Sequence, residues 1–190
     1  KLRLSSDASF VFMLLFIGCF SFFRTKIFGD GGDVVDVTTS DITFEKKIML
    51  KIGDKIPNIN VTTHTGETIN LGDLKGKKIV LFFYPRANTP GCTAQSCNLN
   101  DNYNRLTAEG YEVIGVSPDT VDKQNKFAQK FGFKYNLLAD DSKEIIKAFG
   151  VWGLKKFRGN EYEGVLRTTF LINEDGVIDK VIDKVKTKEH

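Results

Sequence analysis

The amino-acid sequence predicts an α/β fold in which helices flank a central mixed β-sheet. Three observations support this prediction. From residue 49 onward, segments with strand character alternate with segments of helical character. Residues 79–84, Ile-Val-Leu-Phe-Phe-Tyr, form a continuous apolar run, which is typical of a strand buried on both faces. The chain then finishes in a strand, a turn and a second strand over residues 168–185, and such a final hairpin indicates a mixed sheet.

Glycines delimit most of the predicted elements. Gly66 lies in the turn of a first hairpin, and Gly110, Gly132 and Gly150 end the three predicted helices. In chain order, the predicted elements are strands 60–63, 67–70 and 79–84, helix 92–109, strand 113–117, helices 122–131 and 143–149, and strands 168–172 and 177–185.

Residues 1–48 are expected to lie outside the catalytic fold, which would then span residues 49–190. Residues 10–23 are apolar and flanked by basic residues, but a helix of this length reaches only about 21 Å, short of a bilayer core of about 30 Å. A signal-like segment fits better than a full span, and residues 27–48 resemble an acidic linker. Translation from Met49 would give a cytoplasmic protein without this segment. The alternative is that residues 10–23 export or anchor the chain.

Composition excludes several classes of function. The hydrophobic share of 41% and charged share of 27% are those of an ordinary globular protein. The net charge is only +3, and the lysines are spread along the chain, which disfavours nucleic-acid binding. Three cysteines are too few for a secreted disulfide framework, and neither His64 nor His190 has ligand spacing to them. We therefore expect no metal site, and the thiol chemistry considered below needs no cofactor.

Cys92 is the strongest candidate for a nucleophile. It follows the buried strand and a loop that contains Pro85 and Pro90, and it opens a predicted helix. Free backbone N–H groups and the helix dipole at that position favour a thiolate, which is the reactive form of cysteine. Thr89 can offer its hydroxyl to the sulfur or to an oxygen atom of a bound molecule. Read separately, Cys92 could instead be a small buried apolar residue and Cys97 an ordinary core position of the helix.

The pattern Pro85-x-x-x-Thr89-x-x-Cys92 resembles the active-site signature of the peroxiredoxins. Cys97, five residues further on, makes the segment similar to the bacterioferritin comigratory protein or peroxiredoxin Q subfamily. The resemblance covers about residues 50–190 and extends to three further segments, namely 115–119, 149–153 and 167–172.

This resemblance implies a thioredoxin-like fold with Cys92 as the peroxidatic and Cys97 as the resolving cysteine. It also implies that Thr89 and Arg167 hold the peroxide and the thiolate, while Pro85 shields them. Without the resemblance, Arg167 would be read as a surface arginine at the start of an edge strand. The sequence departs from many members at Arg86-Ala87, where they carry Lys-Asp, and at Gln95, where they carry Glu.

The predicted function is thiol-dependent reduction of hydrogen peroxide and organic hydroperoxides. A sulfenic acid on Cys92 would condense with Cys97 to an intramolecular disulfide, and thioredoxin or a similar dithiol would reduce it. Because both cysteines lie in one chain, a monomer is expected. Two alternatives stay open at this point: a protein disulfide oxidoreductase of the thioredoxin superfamily, and a non-catalytic binding module with a structural disulfide.

Overall fold

The computed structural model describes residues 48–157 and 159–187. The strands are β1 (Asn60–Thr63), β2 (Thr68–Asn70), β3 (Lys78–Phe83), β4 (Tyr111–Ser117), β5 (Asn136–Ala139), β6 (Trp152–Phe157), β7 (Asn160–Val165), β8 (Thr169–Ile172) and β9 (Ile178–Ile182). The helices are α1 (Pro90–Asp101), α2 (Tyr103–Ala108), α3 (Val121–Phe131) and α4 (Glu144–Ala148).

Seven strands form one mixed sheet in the order β2-β1-β5-β4-β3-β8-β9. Strands β3, β4 and β5 run parallel, whereas β1 pairs antiparallel with β5 and β8 pairs antiparallel with β3. The predicted α/β class and mixed sheet are confirmed. Strands β6 and β7 form a separate antiparallel hairpin.

The side chains of β3 alternate between two cores, one on each face of the sheet. Ile79, Leu81 and Phe83 pack into the core that also contains residues of α4. The intervening residues of β3 and Tyr84 join Cys92 and Phe127 in the other core, beneath α1 and α3. Burial on both faces explains why the β3 segment is apolar without interruption.

Several predicted boundaries are wrong. The predicted helix 92–109 is divided at Asn102, whose side-chain amide donates to the Asn98 carbonyl at 2.9 Å and competes with the helical pattern. The helix predicted from Lys143 begins at Glu144, because Lys143 has a left-handed φ of 62°. The last strand ends at Ile182 rather than at residue 185.

Three strands escaped prediction: β5, and the hairpin of β6 and β7. Strand β5 has only four residues, and the hairpin is largely exposed and rich in charged residues, so neither has a clear apolar period.

The predicted apolar segment 10–23 and the linker 27–48 lie almost wholly outside the described residues, so the boundary at residue 48 stays a prediction. Within the described part of the chain, no helix has the length and apolar character needed to cross a membrane.

Candidate active site

Cys92 lies in the first turn of α1, the helix that follows the central strand β3. Thr89 occupies the N-cap position, Pro90 opens the helix, and Cys92 is its third residue. The Cys92 side chain is almost completely buried and its thiol is free. Backbone N–H groups in the first turn of a helix lack helical partners, so this position favours negative charge on the sulfur.

The antiparallel pairing of β8 with β3 brings Arg167 to this site from a distant part of the sequence. The Phe83 N–H donates to the Thr168 carbonyl at 2.8 Å, which places the start of β8 beside the end of β3. Arg167, the preceding residue, directs one guanidinium nitrogen (Nη2) to the Cys92 Sγ at 3.4 Å. The predicted proximity of Arg167 and Cys92 is therefore present, and the guanidinium can stabilise a thiolate.

Gln95 accepts a hydrogen bond from the second terminal nitrogen of the same guanidinium. Arg167 Nη1 donates to the Gln95 Oε1 at 2.6 Å, and Gln95 is fully buried one helical turn after Cys92. In the sequence, Gln95 stands out only as a departure from the family pattern. Because the amide is neutral, it orients Arg167 without neutralising the positive charge that faces the sulfur.

Thr89 and Pro85 lie in the segment between β3 and Cys92. The Thr89 hydroxyl donates to the Arg86 carbonyl at 3.1 Å and not to the sulfur, so the expected direct contact with sulfur or peroxide stays a prediction. A change of one side-chain torsion would be needed to redirect this hydroxyl. Pro85 directly follows Tyr84 and is half-buried.

Cys97 is also a free thiol, and it lies five residues after Cys92 in the same helix. Ideal helix geometry separates the two Cα atoms by about 8.6 Å, whereas a disulfide needs less than about 7 Å. Burial, followed by the negative charge of Asp101, raises the pKa of the Cys97 thiol. The Cys97 thiol is therefore less readily deprotonated than an ordinary cysteine. Because of the Cα separation, α1 must unwind locally before the two sulfurs can join.

A buried polar network fixes the loop that leads to Cys92. The Asp119 carboxylate accepts from the Ala87 N–H at 2.7 Å and from the Ser117 hydroxyl at 2.9 Å. The Gln124 side chain donates to the Ser117 hydroxyl at 2.7 Å and also pairs with the Tyr84 hydroxyl. These bonds connect the loop to β4 and α3 and therefore restrict its conformation.

Lys155 supplies a second cation near the site, and sequence reasoning missed it because β6 was not predicted. Its amine donates to the Val165 carbonyl at 2.9 Å, two residues before Arg167. Burial lowers the pKa of Lys155, and the charge of Arg167 lowers it further, whereas the Cys92 thiolate raises it. The pKa of Lys155 is therefore sensitive to the charges of both Arg167 and Cys92.

The described residues contain no group of three or more His, Cys, Asp or Glu side chains placed to hold a metal ion.

Comparison with known proteins agrees with this geometry. Residues 52–181 match the model of the AhpC/TSA family. The chain is 43% identical over 141 residues to peroxiredoxin Bcp of Escherichia coli K12, which covers 74% of this chain and 90% of the relative. A solved structure of the peroxidoxin BcpB of Mycobacterium tuberculosis is 34% identical, with a TM-score of 0.65, and covers 73% of this chain and 90% of that one.

The chain therefore belongs to the peroxiredoxins. A solved bacterioferritin comigratory protein of Xanthomonas campestris, described for its alkyl peroxide reduction activity, is 28% identical with a TM-score of 0.65 and covers 70% of this chain and 90% of that one. The thioredoxin-like fold and the Bcp and peroxiredoxin Q grouping are confirmed. This peroxiredoxin is a thiol peroxidase that reduces peroxides at the expense of a thiol reductant. Membership of this family disfavours both alternative functions.

Proposed function

We propose that Cys92 is the peroxidatic cysteine and that Arg167 activates it. The observation that carries this assignment is the contact between Arg167 Nη2 and the Cys92 Sγ at the start of α1. The thiolate attacks the terminal oxygen of a hydroperoxide, the O–O bond breaks, and the leaving oxygen takes a proton to depart as water or an alcohol. Arg167 stabilises the negative charge as it moves from sulfur to the leaving oxygen.

Hydrogen peroxide and organic hydroperoxides are the proposed substrates. The alkyl peroxide reduction described for the Xanthomonas campestris relative supports the organic class. Thr89 and Arg167 are the proposed partners of the bound peroxide, with the Thr89 hydroxyl released from the Arg86 carbonyl to donate to a peroxide oxygen. Pro85 is proposed to shield the peroxide and the thiolate.

Cys97 is the proposed resolving cysteine. Its thiol condenses with the Cys92 sulfenic acid, which releases water and forms an intramolecular disulfide. Thioredoxin or a similar dithiol protein then reduces this disulfide by thiol exchange. A monomer suffices for this cycle, because both cysteines lie on α1 of one chain.

Peroxide consumption in the presence of thioredoxin and its reductase tests these assignments. Cys92→Ser is expected to abolish turnover, and Cys97→Ser to abolish thioredoxin-supported turnover. Cys19→Ser is the matched control and is expected to leave turnover unchanged, because Cys19 belongs to residues 1–48, which are proposed to lie outside the catalytic domain. Turnover that survives Cys92→Ser would refute the proposed nucleophile.

The catalytic domain is proposed to begin at Met49, which would place the protein in the cytoplasm if translation starts there. Support comes from the Leu50 N–H, which donates to the Phe149 carbonyl at 3.1 Å and joins this residue to the fold. The alternative is export or membrane anchoring through residues 10–23. Mass spectrometry of the natural N-terminus distinguishes the two. A chain that starts at Met49 is expected to be soluble and fully active, and failure to fold would overturn the boundary.

A further inference from the structure

A cavity of about 270 Å³ opens between the loop that leads to Cys92 and the exposed face of α3. We call it the basic pocket. Its walls are residues 86–88 together with Lys123, Lys126 and Lys130, and the buried ring of Phe127 lies among its lining residues. Cys92, Thr89, Pro85 and Arg167 do not line it.

The basic pocket carries a strong excess of positive charge. Four of its lining residues are cations: Arg86, Lys123, Lys126 and Lys130. The lining contains one carboxylate, that of Asp119, and this group is buried and already accepts hydrogen bonds from the Ala87 N–H and the Ser117 hydroxyl.

Three of these cations, Arg86, Lys123 and Lys130, have no ion-pair partner within the described part of the chain. Lys126 pairs with Asp122 at 2.8 Å, and the Lys130 amine donates to the Asn88 Oδ1 at 2.9 Å. Arg86 and Lys123 are exposed and make no ion pair with any described residue. Their charges are therefore available to a partner.

The spacing of the cations fits a protein surface better than a small anion. Lys123 and Lys130 are seven residues apart on one helix, which separates them by about 10.5 Å along the helix axis. A single carboxylate or phosphate contacts one end of such a row, whereas two or more carboxylates on a protein surface can face all of it.

We propose that the basic pocket docks an acidic surface of the dithiol protein that reduces the Cys92–Cys97 disulfide. This inference rests on the proposed resolving role of Cys97. Residues 86–88 run directly into the segment that holds both cysteines, so a partner seated there lies next to the disulfide without occupying the peroxide site. Opposite charges at that place raise the rate of productive encounter and orient the partner.

The test compares two reductants on the same variants. An acidic thioredoxin with its reductase serves as the protein reductant, and dithiothreitol serves as a small neutral dithiol. Lys123→Glu is expected to lower kcat/KM for thioredoxin about tenfold, and Lys123→Gln about threefold, with no change when dithiothreitol is the reductant. Lys147→Glu, an exposed lysine on α4, makes the same charge change outside the pocket and is the matched control.

Salt provides a second measurement. Raising the ionic strength is expected to lower kcat/KM of the wild type for thioredoxin, because salt screens the interactions of exposed charges. The difference in kcat/KM between the wild type and Lys123→Glu is expected to decrease for the same reason. Equal values for Lys123→Glu and Lys147→Glu would overturn the proposal. It would also be overturned if Lys123→Glu slowed reduction of a carboxylate-bearing hydroperoxide but not reaction with thioredoxin. If dithiothreitol supports no turnover of the wild type, the proposed function itself fails.

Discussion

The side chain of Ser96 offers a direct way to change the rate at which the disulfide closes. Ser96 lies between the two cysteines on α1 and is fully buried, and its hydroxyl has no hydrogen-bond partner among the described residues. In the folded helix, this hydroxyl is therefore removed from water without gaining a hydrogen bond within the protein. When residues 92–97 unwind, this hydroxyl regains water, so Ser96 favours the unwound state that disulfide closure requires.

Ser96→Ala is expected to stabilise the helical state by about 1.5 kcal/mol. Removing a buried unsatisfied hydroxyl contributes about 1 kcal/mol, at the lower end of the usual range. Replacing serine by alanine within a helix contributes about 0.5 kcal/mol more. Since about 1.4 kcal/mol corresponds to a factor of ten, disulfide closure should slow about tenfold where unwinding limits it.

Stopped-flow mixing with one equivalent of peroxide, followed by acid quench and mass spectrometry, measures the lifetime of the Cys92 sulfenic acid. In excess peroxide, the same variant should accumulate more sulfinic acid on Cys92, because the sulfenic acid persists. Asn104→Ala is the matched control, since it makes a similar change in helix propensity at an exposed position of α2. Closure at the wild-type rate in Ser96→Ala would refute the prediction that unwinding of α1 limits disulfide closure.

Two further predictions concern groups whose pKa is shifted. Lys155→Met should lower the rate constant for Cys92 oxidation about threefold, a modest effect because solvent screens the charge, while Lys155→Arg should retain the rate. The pKa of Lys155 lies below the ordinary lysine value, so as the pH rises the wild type should lose the positive charge of residue 155, and the rate that depends on it, before Lys155→Arg does. A pH profile of peroxide reduction measures this difference. Burial lowers the pKa of His64, whose Nδ1 accepts from the Leu137 N–H at 3.2 Å, so the unfolded chain binds the proton more readily. The contribution of His64 to the free energy of unfolding should be fully present above about pH 6.5 and should be lost as the pH falls below that value. Urea unfolding should show this loss in the wild type and less of it in His64→Asn.

The sequence identified those parts of the fold that burial dictates. Strand β3 was evident because both of its faces are covered. The turn into α1 was evident because Pro90 and Gly91 directly precede Cys92. Strands β6 and β7 lacked such a signal, since their exposed faces admit charged residues and place Gly153 opposite Gly164. Their absence from the prediction concealed Lys155.

The contacts around Cys92 were only partly accessible from sequence. Arg167 lies 75 residues from Cys92, and only the antiparallel pairing of β3 and β8 joins them. The resemblance to a family singled out Arg167, but not its hydrogen bond to Gln95. The expected partner of Thr89 also differs, because a nearby carbonyl competes for its hydroxyl and a residue pattern does not record such competition.

In the proposed cycle, Cys92 reacts with peroxide, and Cys97 then condenses with the Cys92 sulfenic acid. Peptide mapping by mass spectrometry after one equivalent of hydrogen peroxide tests this in a single turnover, with a dimedone-type reagent present to trap sulfenic acid. The wild type should yield a Cys92–Cys97 disulfide, and Cys97→Ser should yield a trapped sulfenic acid on Cys92. Trapping on Cys97 in Cys92→Ser to the same extent, or a disulfide that joins either cysteine to Cys19, would contradict the account.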